Sequence, residues 1–418
     1  MKQFEKCSEK LLRYVAYPTA SKEGETVSPS TPEQRIFGEA LVREMQDIGI
    51  ADAEIDGNGY VYGSIPAASG LENIPAIAFI SHMDVSPDAP CRNIQPQTIL
   101  YEGGDILLQN GMVLSGEAFP ELKRFRGKHL IVTSGDTLLG ADDKAGIAEI
   151  LSMAEHLMTS EKPHGAVKIC FTPDEEIGSG AERLDLKRLQ ADLAYTVDGD
   201  RLGSVEYETF NAAEAHIDFR GFSVHPGSGK DRLKNASRMA AYFIQGMPEK
   251  ETPEHTEGRE GFYLVHQLEG TVEKASLDCL IRDHDKLRFF ERKRFLETLT
   301  EDVNKHFGKG SADISIRDSY YNMKEKIIPE HQNMIDIAYK AVRMEGAEPI
   351  SPPVRGGTDG ACLSFRGLPC SNLGTGAGNY HSRLEYACVE DMESCRNVLL
   401  NICFLYAAEN SKKELENT

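Results

Sequence analysis

Seven acidic or imidazole side chains stand at the ends of apolar runs or beside glycines in this chain: His82, Asp84, Asp142, Glu175, Glu176, Asp198 and His381. His82-Met83-Asp84 closes the run Ile74-Pro-Ala-Ile-Ala-Phe-Ile-Ser. Residues i and i+2 of a strand share a face, so Asp84 can hold the His82 imidazole and fix its tautomer. The other ring nitrogen is then left for a metal. Asp142-Asp143 follows Gly140-Ala141 and opens a helix, where an acid that caps the first turn is an equally ordinary reading. Glu175-Glu176 follows the buried-looking run Val167-Lys-Ile-Cys-Phe-Thr. Ionised carboxylates resist burial unless they are paired or metal-bound, so one of these two could be a general base and the other a ligand. Asp198 ends Ala-Tyr-Thr-Val just before Gly199, and His381 follows the glycine-rich residues 374–378. Taken singly, each has a plain structural reading as a surface pair, a cap, a loop or a turn. Taken together, two histidines and three or four carboxylates fit a two-metal site. Such sites hold metals about 3.5–4 Å apart and clamp a water between them. Nitrogen and oxygen ligands without cysteine suit zinc, with manganese or cobalt open. A carboxylate off the metal would take the water's proton.

Several elements must bring these residues together. Strand, helix and strand alternate from residue 74 to 197, which predicts a mostly parallel sheet. Ligand sites in such sheets lie at the carboxyl ends of the strands, where Glu175, Glu176 and Asp198 would converge. Residues 4–15 and 33–48 carry apolar positions at helical spacing, around a Ser, Thr, Pro and Gly-rich loop. The small residues after Gly140 would let their helix pack closely on the sheet. Residues 91–130 read as loop. From residue 211 half-exposed strands are expected at 214–219, 262–268, 276–282 and 313–317, with helices at 235–245 and 285–307, a small α+β domain. The larger pattern resumes with a helix at 334–345, a strand at 370–373 and a last helix at 390–407. The expectation is a two-domain α/β protein: residues 1–210 and 318–418 form the catalytic domain, and 211–317 an inserted α+β lid.

Bulk properties narrow the class. A chain of 418 residues with 40% hydrophobic and 27% charged residues is globular in composition and too long for one ordinary domain. A net charge of -20 argues against nucleic acid and anionic membranes as partners. The nine cysteines are scattered, with no Cys-x-x-Cys pair, and read as reduced thiols of a cytoplasmic protein. Residues 1–10 contain no apolar signal-like run, and no apolar run reaches membrane-spanning length.

The ordered motifs resemble the zinc-dependent M20 metallopeptidases, and within them the branch that removes the N-terminal residue of tripeptides. The resemblance rests on Ile80-Ser-His-Met-Asp, Leu138-Leu-Gly-Ala-Asp-Asp-Lys-Ala-Gly, Phe171-Thr-Pro-Asp-Glu-Glu, Val197-Asp-Gly and Asn379-Tyr-His. It extends to Thr256-Glu-Gly-Arg-Glu-Gly-Phe-Tyr, Asp318-Ser-Tyr-Tyr-Asn-Met and Arg355-Gly-Gly-Thr-Asp-Gly-Ala, and so spans nearly the whole chain. It implies two zinc ions per subunit: His82, Asp142 and Asp198 around one, and Asp142, Glu176 and His381 around the other, with Asp142 bridging. It implies Glu175 as general base, Asp84 as support for His82, and a cis peptide bond between Asp142 and Asp143. His225, in Val-His-Pro-Gly, would stabilise the oxyanion. Arg282 and Arg355 could bind a substrate carboxylate. The partner expected is a small peptide, with room left for a homodimer. Asp200-Arg201 stands where the family has glycines, and the His381 loop lacks a further glycine or histidine; both bear on substrate preference. An amidohydrolase, deacylase or dipeptidase acting on small N-acyl amino acids or dipeptides would share every ligand. A non-catalytic metal-binding protein would have no chemical need for Glu175.

Overall fold

In the computed structural model the protein is described over residues 4–416, and over residues 4–409 for side chains. The first three residues of the leading segment and residues 417–418 of the charged tail lie outside the described residues. The chain divides into two compact units. Unit 1 comprises Met1–Tyr207, Glu325–Pro352 and Thr358–Thr418, and unit 2 comprises Glu208–Lys324 and Pro353–Gly357.

Unit 1 is built on a seven-stranded sheet of β1 (Glu54–Ile55), β2 (Val61–Ile65), β3 (Ile77–His82), β4 (Val167–Thr172), β5 (Leu193–Gly199), β6 (Val205–Glu206) and β7 (Cys370–Gly374). The spatial order is β1-β2-β4-β3-β5-β7-β6. The four central strands β4-β3-β5-β7 run parallel, and the flanking pairings β1-β2, β2-β4 and β7-β6 are antiparallel. All six residues of β3 are buried, as befits a central strand covered on both faces. Ala78 and Ile80 join a core with Leu363 and Cys370, while Phe79 stacks on Tyr195 of β5. Helix α1 (Ala141–Met158) lies against β3 and β5 and is buried along most of its length. The small residues after Gly140 account for that contact: a Cβ at Gly146 would collide with the Val197 carbonyl oxygen.

Residues 91–130, expected as loop, contain strands instead. Gln97–Leu100 and His129–Val132 are strands of a second, antiparallel sheet in unit 1, completed by Ala377–Gly378 and Tyr386–Cys388. These strands are two to four residues long. Runs that short carry no readable alternation, and their pairing is decided by partners far away in sequence.

Unit 2 is a four-stranded antiparallel sheet in the order Phe262–Gly270, Lys274–Asp283, Asn211–Arg220, Ala312–Tyr320. Ala213, Ala215, Ile217 and Phe219 alternate inward. They pack with residues of the helices Ala236–Gln245 and Lys286–Phe307 in one core. No helix among the described residues is long and apolar enough to cross a membrane.

Candidate metal centre

The parallel order explains why distant residues meet. β4 and β5 flank β3, so whatever follows their carboxyl ends gathers around the end of β3. His82 is the last residue of β3, and Asp198 is the last but one of β5. β4 runs into Asp174, in the left-handed region at φ 60°, and then into a single 3-10 turn, Glu175–Ile177. That turn is anchored from outside. Asp174 accepts from the Gln34 amide nitrogen at 2.8 Å and the Ser30 N–H at 2.9 Å, and its own N–H donates to Gln34 Oε1 at 3.1 Å. Asp142 comes from the start of α1, where it and Asp143 depart from helical backbone, and the peptide bond between them is cis. His381 comes from the loop between Ala377–Gly378 and Tyr386–Cys388.

Ligand-type atoms of His82, Asp142 and Asp198 all lie within 4.8 Å of one another, and so do those of Asp142, Glu176 and His381. Asp142 belongs to both groups and turns one oxygen to each. Its Oδ1 lies 2.9 Å from His82 Nε2, and its Oδ2 lies 3.4 Å from His381 Nε2. Asp198 Oδ1 is 3.4 Å from His82 Nε2, and Glu176 Oε2 is 2.7 Å from His381 Nε2.

The surroundings of these ligands differ in detail from the sequence expectation. His82 Nδ1 lies 3.1 Å from the backbone carbonyl of Asp84 and 3.4 Å from its carboxylate. With Nδ1 donating to that carbonyl, Nε2 presents its lone pair to the cluster. The Asp84 carboxylate also accepts the N–H groups of Glu175 at 3.0 Å and Glu176 at 3.1 Å. One fully buried aspartate thus fixes both the imidazole and the turn that carries the two glutamates. Asp143 ties β3 to α1 by accepting from the Ser81 hydroxyl and, at 3.2 Å, from the His82 N–H.

The electrostatics are those of a site short of positive charge. Burial pushes the Glu175 carboxyl well above the usual range, and the nearby Asp198 charge pushes it further. Burial likewise raises Asp198 to about 7. Hydrogen bonds to Asp142 and Glu176 raise His381 to about 11. Burial opposes the His82 cation, but the Asp198 and Asp142 carboxylates outweigh it and hold the imidazole above its ordinary value. Glu176 Oε1 is buried with no hydrogen-bond partner among the described residues. Stacked carboxylates of this kind are costly unless a cation joins them. Two imidazoles, three carboxylates and an orphaned carboxylate oxygen therefore fit a pair of divalent cations.

His225, Arg282 and Arg355 lie in unit 2. The His225 side chain is exposed and its ring makes no hydrogen bond among the described residues. Arg282 Nη1 donates to the carbonyls of Ala213 and Ile281 at 3.1 and 3.0 Å, and its guanidinium lies over the Tyr320 ring. Arg355 Nη1 donates to the carbonyls of Gly258 and Glu260, and Nη2 to the Thr256 hydroxyl at 2.8 Å. Its guanidinium sits over Phe210 and Phe262.

Three residues of the site gave no sequence signal. Asn372 accepts the Asp198 N–H at 3.2 Å and donates to Glu206 at 2.8 Å. Asp88 stands 3.3 Å from His381 Nδ1. Glu385 accepts the N–H groups of Leu139, Gly140 and Asp142 at 2.7, 2.8 and 3.0 Å. Burial raises its carboxyl to about 7.

Comparison with known proteins follows the same lines. The model of peptidase family M20/M25/M40 matches residues 138–404. Peptidase T of Caldanaerobacter subterraneus subsp. tengcongensis is 46% identical over 405 residues, 96% of this chain and 98% of the relative. Among solved structures, aminopeptidase PepT from Bacillus cereus superposes with a TM-score of 0.76 at 23% identity, covering 96% of this chain and 98% of that one. A dinuclear metal-binding peptidase of the M20 family from Bacillus subtilis superposes with a TM-score of 0.64 at 14% identity, covering 96% and 97%. The last two likenesses are of fold.

Proposed function

The chain belongs to peptidase family M20/M25/M40, and from that premise we propose that the His82–Asp142–Asp198 and Asp142–Glu176–His381 groups hold two divalent metal ions, zinc by donor chemistry, with Glu175 as general base. The enzyme is a tripeptide aminopeptidase of that family. The observation that carries the metal assignment is the divergence of the two Asp142 oxygens, one toward each histidine.

Bound there, the cations would supply Lewis-acid polarisation of the scissile carbonyl and acidify a water. The remaining steps belong to side chains. Glu175 takes the proton from the attacking water and delivers it to the leaving nitrogen. Its burial favours the protonated form, the form it must pass through as it carries the proton. Asp84 keeps Glu175 and Glu176 in register, so that one carboxylate is free for proton transfer while the other ligates. His225, with an unbonded ring, is the proposed donor to the developing oxyanion.

A donor aimed at an oxyanion acts mainly in the transition state. His225→Ala should therefore lower kcat by roughly 10²–10³, or about 2.7–4 kcal/mol, with KM little changed. Steady-state kinetics on one tripeptide check this. A raised KM at unchanged kcat would make His225 a binding residue.

Selecting for three residues needs two charged anchors at a fixed separation. Acidic groups at the metals would receive the substrate ammonium, and Arg282 or Arg355 the carboxylate. Hydrogen bonds to charged groups contribute about 1.5–3 kcal/mol. N-acetylation and C-amidation of a good tripeptide should then each lower kcat/KM roughly 10–100-fold, and the matching dipeptide should be poor. Turnover of the acetylated peptide at the parent rate would replace the aminopeptidase reading with a deacylase or carboxypeptidase one.

A further inference from the structure

We propose that Glu385 is a positioning residue: it sets the main chain at Asp142 so that the bridging carboxylate serves both metal sites. The inference rests on the metal reading above. The turn that presents Asp142 leaves three N–H groups without acceptors of its own. Its N-cap position is Gly140, at φ 76°, and no local side chain caps it. All three donors are satisfied from 243–246 residues away by one carboxylate that is 2% exposed. Oε2 takes Leu139 and Gly140, and Oε1 takes Asp142.

The plain alternative is a helix cap that serves stability alone. Two features argue for more. A cap bonds the N–H groups of a helix's first turn, whereas these donors belong to the approach and to Asp142, whose ψ of 103° is not helical. A negative group beside a cluster of carboxylates also carries an electrostatic cost, since like charges oppose one another. Rigid support comes from the strand that begins at the next residue. Tyr386 is fully buried and pairs with Val132 of the second sheet. The same loop carries His381, so one segment delivers a ligand for the second site and the clamp on the shared aspartate. Partners that orient metal ligands typically contribute 10–100-fold in metal affinity.

The test compares parent, Glu385→Gln and Glu385→Ala as full-length proteins. Metal-free protein is titrated with zinc against a competing chelator, kcat and KM are measured at saturating zinc, and melting is followed without metal. Glu385→Gln keeps the size and one acceptor oxygen. The expected result is both zinc affinities weakened by about 10–100-fold and kcat lowered at similar KM, in addition to the fall in metal-free melting temperature that follows from an N–H group left unpaired. Zinc affinities and kcat equal to the parent's, with only melting lowered, overturn the proposal in favour of a structural cap. Failure of both variants to fold overturns it in the same way. A parent that binds fewer than two zinc ions overturns the metal reading itself, and this inference with it.

Discussion

Glu175→Gln is expected to keep two metal ions per chain and to lose turnover by at least about 10²–10⁴-fold, the usual contribution of a positioned general base. The substitution keeps shape and the backbone N–H that Asp84 accepts, but its amide cannot take a proton from water. Glu175 and Glu176 are neighbours on one 3-10 turn, and Glu176 Oε2 lies 2.7 Å from His381 Nε2. Elemental analysis with kcat on a tripeptide checks the division of roles. If Glu175→Gln loses metal while Glu176→Gln keeps both ions, the two roles are exchanged.

Asp142→Ala should be the more damaging change, because it removes a ligand from both groups at once. Each would be left with two side chains, and structural and catalytic zinc sites need at least three. We expect the metal content to fall toward zero. Turnover should drop to background, since metal polarisation alone contributes several kcal/mol to the transition state, or more than about 10³-fold. Asp198→Ala and Glu176→Ala each remove one ligand from one group and should leave the other ion bound. A variant lacking Asp142 that holds one ion tightly would mean that the two groups do not share this residue.

The candidate cluster was readable in the sequence wherever chemistry and local pattern coincide. His82 and Asp198 end buried strands, Glu175 and Glu176 follow one, and Asp142 follows a glycine at a helix start. Each of those positions is marked by the residues beside it, and the parallel alternation says at which edge of the sheet they meet. The partners that fix them carry no such mark. Glu385, Asn372 and Gln34 act through hydrogen bonds to residues 243, 174 and 140 positions away, and a lone polar residue in a run has no periodicity to betray its contacts. The same limit hid the second sheet of unit 1, whose short strands are defined by pairing across the chain. The dual use of Asp84 was half legible: the i, i+2 spacing pointed to His82, but the carboxylate's grip on the N–H groups of Glu175 and Glu176 depends on the parallel register of β3 and β4.

In the proposed mechanism two metal ions shared by Asp142 carry the hydrolysis and Glu175 moves the proton. This mechanism is tested most directly by measuring metal content and tripeptide turnover on the same preparations of parent, Glu175→Gln and Asp142→Ala. The expected result is two ions with turnover for the parent, two ions without turnover for Glu175→Gln, and neither for Asp142→Ala. Full turnover in a parent stripped of metal, or retained turnover in Asp142→Ala, would contradict it.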